Sequence, residues 1–136
     1  MKKTLLEDLG LLIMRIGAGG MMLTHGIPKL TRLFGDEPIK FMDFIGIGPV
    51  ASLSLAVFAE FLCSILLIIG FKTRLAVIPL MITMLTAAFV AHAADPFGRK
   101  ELPLLYFTIF VGILIFGGGK FSIDGLMNNK SAYYKS

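Results

Sequence analysis

The chain has 136 residues, of which 56% are hydrophobic and 16% are charged, and its mean hydropathy is +0.82. This composition excludes an ordinary soluble domain and predicts an integral membrane protein. The net charge is +4, but the basic residues lie mostly between apolar blocks. There they would contact lipid headgroups of the bilayer, so nucleic acid is not a predicted partner. One cysteine, Cys63, excludes an intramolecular disulfide and a cysteine-based zinc site.

Four apolar segments predict an all-α, four-helix transmembrane bundle that forms a single domain over residues 1–136. The predicted spans are about 9–27, 49–70, 75–94 and 102–117. The first has roughly 19 residues and covers about 28 Å, close to the thickness of a hydrocarbon core. Pro28 predicts that this helix ends at Ile27, because the residue before proline disfavours the α conformation. Pro49 is placed to open the second span, and Gly70 to close it.

The longest connection lies between the first and second spans. Its apolar residues Ile39, Met42 and Ile45 recur three apart, which favours a short interfacial helix. A loop whose apolar residues pack onto the bundle is the alternative interpretation.

Four crossings would place both termini on the same side of the membrane. Basic residues are more numerous on that side (Lys2, Lys3, Lys72, Arg74, Lys120, Lys130, Lys135) than on the other (Lys29, Arg32, Lys40, Arg99, Lys100). This bias predicts a multipass protein of the bacterial inner membrane with both termini in the cytoplasm.

Two charged residues lie inside apolar spans, where an uncompensated charge is costly. Counted from about residue 5 as the start of the first helix and from Gly70 as the end of the second, Arg15 and Glu60 are each about ten residues, or about 15 Å, into the membrane. We therefore predict that they pair near the middle of the membrane. The pair fits either a structural role, fixing the register of two helices, or a site for a substrate, a proton or a quinone headgroup.

A second polar group is predicted at the opposite end of the bundle. His25 and Lys29 are neighbours one helical turn apart, and His92, followed by Asp95, reaches the same level on the third span. Histidine and carboxylate ligands suit a metal, which makes His25 and His92 the candidate ligands. The adjacent lysine and the scattered origin of the ligands argue against a metal, so no metal is predicted. The alternative is a set of interfacial groups that donate hydrogen bonds to loop carbonyls.

The order of these residues resembles the DoxX family of small membrane proteins. The matching positions are Arg15-x-Gly17-x-Gly19, His25-Gly26-x-x-Lys29-Leu30, Ala59-Glu60, Gly70-Phe-x-Thr-Arg74 and His92. The resemblance implies a polytopic four-helix bundle, and it carries Arg15, His25, Gly26, Lys29, Glu60 and His92 over as matching positions. It implies varied functions, among them association with quinol oxidase, thiosulfate:quinone oxidoreductase and thiol-stress complexes, and more distantly cargo-receptor or chaperone roles. The chain lacks the soluble portion and extra cysteines of some redox members, so self-contained thiosulfate oxidation is not expected.

The predicted function is a subunit or accessory factor of a quinone-linked membrane redox complex, without standalone enzyme activity. Its polar cavity would be lined by Arg15, His25, Lys29, Glu60, His92 and Asp95 and would hold a quinone headgroup or a small anion. The predicted partners are the bilayer and oxidoreductase subunits, and a homo-oligomer is left open. Two alternatives are a membrane adaptor or chaperone with a structural charged core, and a small transporter that would require oligomerisation.

Overall fold

A computed structural model describes residues 3–134, with side chains described through residue 129. Its regular structure consists of five helices: α1 (Leu5–Leu33), α2 (Pro49–Ile69), α3 (Thr73–Ala91), α4 (Phe97–Phe116) and α5 (Ile123–Tyr134). No strand occurs among the described residues, and the all-α prediction is confirmed.

Helix α1 is longer than the sequence predicted. Its first turn carries a capping box, in which Thr4 Oγ1 accepts a hydrogen bond from Glu7 N and the Glu7 carboxylate accepts one from Thr4 N. The predicted end at Ile27 is wrong, because the helix passes through Pro28 and continues to Leu33. Proline removes one backbone hydrogen bond from the helix. Packing of α1 against α2 holds the helix together across this position.

Helices α2 and α3 each contain a short π-helical segment, Phe58–Cys63 in α2 and Ala87–Ala91 in α3. Glu60 lies inside the first segment, and His92 directly follows the second. Segments of π-helix insert an extra residue into a helical turn and are frequent at functional sites. The first segment lies in the middle of α2, and the second forms the last turn of α3.

The four long helices pack in sequence order. Helix α1 contacts α2 and α4, and α3 contacts α2 and α4. The shared apolar core consists of Ala18, Met22, Cys63, Leu67, Ala76, Val77, Leu80, Met84, Tyr106, Phe110 and Ile113.

The outer surface is strongly apolar, whereas charged side chains lie inside. Leu6, Ile13 and Leu75 are 80%, 70% and 66% exposed, while Arg15 and Glu60 are 1% and 3% exposed. This distribution is the reverse of that in a soluble protein and matches a lipid-facing surface. Within the described residues, α2 and α3 are each long and apolar enough to cross a membrane, with mean hydropathies of 2.4 and 2.0.

Two glycines of α1 let its backbone approach α2. A Cβ atom at Gly26 would lie 2.6 Å from the carbonyl carbon of Glu60, and one at Gly19 would lie 3.2 Å from the carbonyl oxygen of Ser64. Gly20, by contrast, faces open space. Close approach through small residues is typical of helix pairs in membranes.

Of the two interpretations of residues 39–45, the interfacial helix is wrong, because none of these residues is helical, and the segment is a loop. The Asp43 carboxylate instead accepts hydrogen bonds from Ile47 N at 3.0 Å and from Ser52 Oγ at 3.4 Å. Gly46 and Gly48 take positive φ angles of 75° and 96° immediately before α2. Side-chain hydrogen bonds and glycine turns thus replace the helical pattern suggested by the apolar spacing.

The C-terminal segment folds back onto the other helices, an arrangement that the sequence analysis did not predict. Helix α4 ends at Gly117, whose φ angle is 80°. The following turn brings Asp124, in the first turn of α5, against the α2–α3 turn, where Asp124 N donates to Gly70 O at 2.9 Å. Gly70 itself closes α2 in the left-handed conformation, as expected from the sequence.

Candidate functional site

A buried ion pair joins α1 to the π-helical segment of α2. Lys29 Nζ donates to Glu60 Oε2 at 2.5 Å, and the two side chains are 25% and 4% exposed. The glycine at position 26, one turn before Lys29, lets α1 approach close enough for the pair to form. Glu60 therefore has a partner, but that partner is Lys29 and not Arg15.

The ion pair lies in the wall of a cavity of about 230 Å³ at the end of the bundle away from the chain termini. All four long helices contribute to its lining. The polar part comprises His25, Lys29, Glu60, His92 and Arg99, and the apolar part comprises Met22, Met84, Ala87, Leu102, Pro103 and Tyr106. The structure thus brings together four of the six residues predicted for the cavity.

The two histidines are oriented by different neighbours. His92 Nδ1 lies 2.7 Å from Asp95 Oδ2, which sits three residues later in the turn after α3. Asp95 does not line the cavity, but it contacts a residue that does. The His25 ring packs edge-on against Tyr106, with their centroids 6.2 Å apart. Both imidazole rings are thereby held at the cavity wall.

Arg15 is far from this cavity, and its predicted pairing with Glu60 is wrong. Its Nη2 atom donates to the carbonyl oxygen of Phe121 at 2.6 Å, and its guanidinium lies against Gly70. Among the described residues, Nε and Nη1 of Arg15 have no hydrogen-bond partner. Arg15 is thus part of the contact between α1 and the C-terminal segment.

The helix register explains the error. Gly26 lies opposite Glu60, and Arg15 lies opposite Gly70, the residue that follows the end of α2. Arg15 and Gly26 are separated by about 16 Å along the helix axis at 1.5 Å per residue. The predicted pair requires the start of α1 and the end of α2 to lie at the same level. In the structure, the first turns of α1 extend past the end of α2, where the C-terminal segment covers them.

Asp124 is the acid whose charge acts on Arg15. Its Oδ1 and Oδ2 atoms accept hydrogen bonds from the amides of Lys72 and Thr73, both at 2.8 Å. Burial opposes ionisation of this carboxyl group, but these hydrogen bonds outweigh burial, so the pKa of Asp124 lies below its ordinary value of 3.8. The ionised carboxylate caps the start of α3 and fastens the C-terminal segment to it.

Comparison with known proteins identifies the family. The family model described as DoxX matches residues 10–93. The chain belongs to the DoxX family. Inner membrane protein YqjF of Escherichia coli (strain K12) is 35% identical to it over 135 residues, which cover 96% of this chain and 99% of that protein. No solved structure gives a significant match. This DoxX-family chain is therefore a membrane protein, as its composition predicted.

Two cavity residues with polar side-chain atoms in this DoxX-family protein, Arg99 and Tyr106, were not predicted from the sequence. Arg99 follows the α3–α4 turn and was assigned only to a basic loop, while Tyr106 lies inside an apolar helix. A tyrosine within an apolar span was a usable signal, because its hydroxyl needs a polar partner at that depth. Arg99 had no comparable signal, since its position depends on how α4 packs against α3.

A metal centre is not supported by the geometry. Among the described residues, no group of three or more histidine, cysteine, aspartate or glutamate side chains is placed to hold a metal ion. His25 and His92 do share the cavity wall, yet Lys29 lines the same space with a positive charge. The cavity is better suited to a neutral or anionic ligand.

Proposed function

We propose that this DoxX-family protein is a multipass inner-membrane subunit or accessory factor of a redox complex, and that its cavity binds the ring of a quinone. In this proposal α1 to α4 cross the bilayer and both termini lie in the cytoplasm. The observation that carries it is the convergence of Lys29, Glu60, His25, His92 and Arg99 on one cavity. The inner-membrane location is supported by the name of the relative from Escherichia coli.

The size of the cavity suits a single ring. Its volume of about 230 Å³ is below the roughly 300–1,000 Å³ of pockets that enclose drug-sized ligands. A quinone ring would fill this space, and its apolar tail would extend out of the cavity between helices. Met22 and Met84 line the inner wall, where flexible thioether side chains adapt to the shape of a ring.

The polar side chains match the chemistry of a quinone. Lysine, arginine and tyrosine side chains donate hydrogen bonds, which suits the two carbonyl oxygens of the ring. Lys29 already binds Glu60 Oε2, leaving Oε1 of Glu60 to accept a hydrogen bond from a reduced ring. A bound quinone would supply reversible electron and proton transfer. The residues of this chain would position the ring, limit water access and receive a proton at Glu60.

Quinone titration of the purified protein in nanodiscs tests this proposal, with a short-chain quinone analogue as the probe and calorimetry as the readout. Glu60→Gln keeps the shape of the side chain and removes its charge. With the analogue reduced to its quinol, whose hydroxyl would donate to Glu60 Oε1, we expect the affinity to fall at least about tenfold in this variant, because a hydrogen bond to a charged group contributes roughly 1.5–3 kcal/mol. Glu37→Gln, in an exposed position of the α1–α2 connection, is the matched control and should bind like the wild type. Equal affinity in the wild type and Glu60→Gln, or no binding to either, would refute the quinone proposal.

The redox-complex part of the proposal needs a separate test. Crosslinking in native membranes followed by affinity purification should capture a partner subunit that carries a redox cofactor. A reproducible partner with no redox cofactor would favour an adaptor or chaperone instead.

A small anion is a second candidate ligand, because the cavity has an excess of positive charge. Glu60 balances Lys29, whereas Arg99 takes part in no ion pair with the described residues. Sulfate included in the quinone titration distinguishes the two ligands. If sulfate weakens quinone binding to the wild type but not to Arg99→Gln, the cavity binds an anion at Arg99. If sulfate leaves quinone binding unchanged, the quinone ring is the favoured ligand.

A further inference from the structure

A second, larger concavity lies at the opposite end of the molecule, near the chain termini. It is an open groove of about 890 Å³ between the start of α1, the α2–α3 turn and the segment that joins α4 to α5. Four basic residues line it: Lys3, Lys72, Arg74 and Lys120. We call this concavity the basic groove. It shares no lining residue with the cavity around Glu60.

The two acidic residues in the basic groove leave its positive charge largely available. The Asp8 carboxylate accepts a hydrogen bond from Lys120 N at 2.9 Å, and the Asp124 carboxylate accepts those from the amides at the start of α3. Among the described residues, neither acid forms an ion pair with a basic side chain of the groove. Four cations and two anions give a local net charge of +2. This surface attracts an anionic ligand.

The start of α3 lies in the wall of the basic groove, but Asp124 already caps its amides. An anionic group in the groove would therefore interact with the lysine side chains and not with this helix N-terminus.

The apolar side chains of the basic groove indicate whether it binds a soluble phosphate or a phospholipid. Leu5, Leu75, Phe116 and Met127 line the groove and are 62%, 66%, 55% and 51% exposed. A soluble phosphate would leave these side chains in water, whereas a phospholipid would cover them with its glycerol and acyl groups. The groove also lies level with the end of α2 and the start of α3, the two helices with clear membrane-spanning character.

We propose that the basic groove binds the headgroup of an anionic phospholipid from the leaflet on the side of the chain termini. Lys3, Lys72 and Lys120 contact the headgroup phosphate, and the exposed apolar side chains contact the first carbons of the acyl chains. Arg74 adds positive charge to the wall, while its Nε and Nη2 atoms donate to the carbonyl oxygens of Leu114 and Ile115. Because α5 forms one wall of the groove, the bound lipid also links the C-terminal segment to the membrane surface.

Native mass spectrometry of the full-length protein in neutral detergent tests the proposal. Phosphatidylglycerol and phosphatidylcholine of equal chain length are the probes. We expect phosphatidylglycerol to bind at least tenfold more tightly. The double variant Lys72→Gln/Lys120→Gln should lose about 25-fold in that affinity, at about fivefold per basic residue near a membrane surface. Arg32→Gln/Lys40→Gln removes the same charge from exposed positions at the other end and should leave binding unchanged.

Three results would overturn the proposal. Equal binding of the two lipids would remove the case for an anionic headgroup. Equal loss in both double variants would show that net charge, and not the basic groove, attracts the lipid. Displacement of phosphatidylglycerol by millimolar inorganic phosphate would show that the groove serves a soluble phosphate. Circular dichroism of each variant distinguishes lost binding from lost folding, and the single variants Lys72→Gln and Lys120→Gln replace the double variant if it does not fold.

Discussion

Replacing Lys29 with methionine leaves the Glu60 carboxylate buried without its counter-charge. The effect should be larger than that of Glu60→Gln, because the two side chains differ in exposure, at 4% for Glu60 and 25% for Lys29. An uncompensated charge left by removal of one partner of a buried pair costs about 3–5 kcal/mol. Water reaches the pair from the lysine side, so we expect about 3 kcal/mol for Lys29→Met. Glu60→Gln leaves an ammonium group that can turn toward water, and should cost about 1–2 kcal/mol.

The double variant Lys29→Met/Glu60→Gln isolates the interaction energy between the two side chains from the energy that each has with its other neighbours. It removes both charges, so its unfolding free energy should lie about 1–2 kcal/mol above the value expected from adding the single effects. The assay is denaturant-induced unfolding in detergent micelles, followed by circular dichroism. Lys40→Met, at an exposed position of the α1–α2 connection, controls for the loss of a lysine charge. Additive effects, or a Lys29→Met variant no less stable than Glu60→Gln, would refute the conclusion that a desolvated ion pair holds α1 to α2.

Two further predictions concern helix packing and the C-terminal segment. Gly26→Ala should destabilise the protein by about 1–3 kcal/mol, because the new methyl group would meet the rigid backbone of α2. Gly20→Ala faces open space and should be neutral or slightly stabilising. Thermal unfolding of the two variants measures this difference, and equal melting temperatures would contradict the close approach. The contribution of Asp124 to stability should be fully present above its unfolded-state pKa near 3.9 and should be lost as the pH falls through its lower folded-state pKa. The amides of Lys72 and Thr73, which donate to Asp124, should therefore lose their protection against hydrogen exchange, measured relative to the intrinsic rate at each pH, only in acid. Asp124→Asn should remove this pH dependence, and loss of protection at neutral pH in the wild type would contradict the cap.

The helical class followed from composition and from residues whose effect on the backbone is local. Pro49 at the start of α2 and Gly70 at its end are examples, since each acts through its own φ angle. The same local reasoning failed at Pro28, where packing against α2 outweighs the loss of one hydrogen bond. It failed again over residues 39–45, where the apolar spacing was typical of a helix but Asp43 and two glycines form turns.

Most of the polar cavity could be predicted, because its residues have unusual positions in the sequence. Histidine, lysine and glutamate inside apolar spans need polar surroundings, and His25, Lys29, Glu60 and His92 do meet in one cavity. Arg99 was missed because the predicted fourth span began only at about residue 102, which placed Arg99 in a connecting segment where a basic residue is ordinary; in the structure it lies in the first turn of α4. The four-crossing topology, the quinone and the redox partner remain proposals.

The sequence by itself determined that this is a helical membrane protein of the DoxX family and which charged residues must avoid lipid. Those conclusions depend on composition, local backbone chemistry and the high cost of an isolated charge in an apolar medium. Only the tertiary structure decided which charges pair. When the helix ends are assumed to be level, Arg15 lies at the depth of Glu60 and Lys29 lies near the opposite end, so the sequence alone favours the wrong pair. The offset of α1 against α2, set by Gly26 and by the C-terminal segment, brings Lys29 to Glu60 and leaves Arg15 with Phe121.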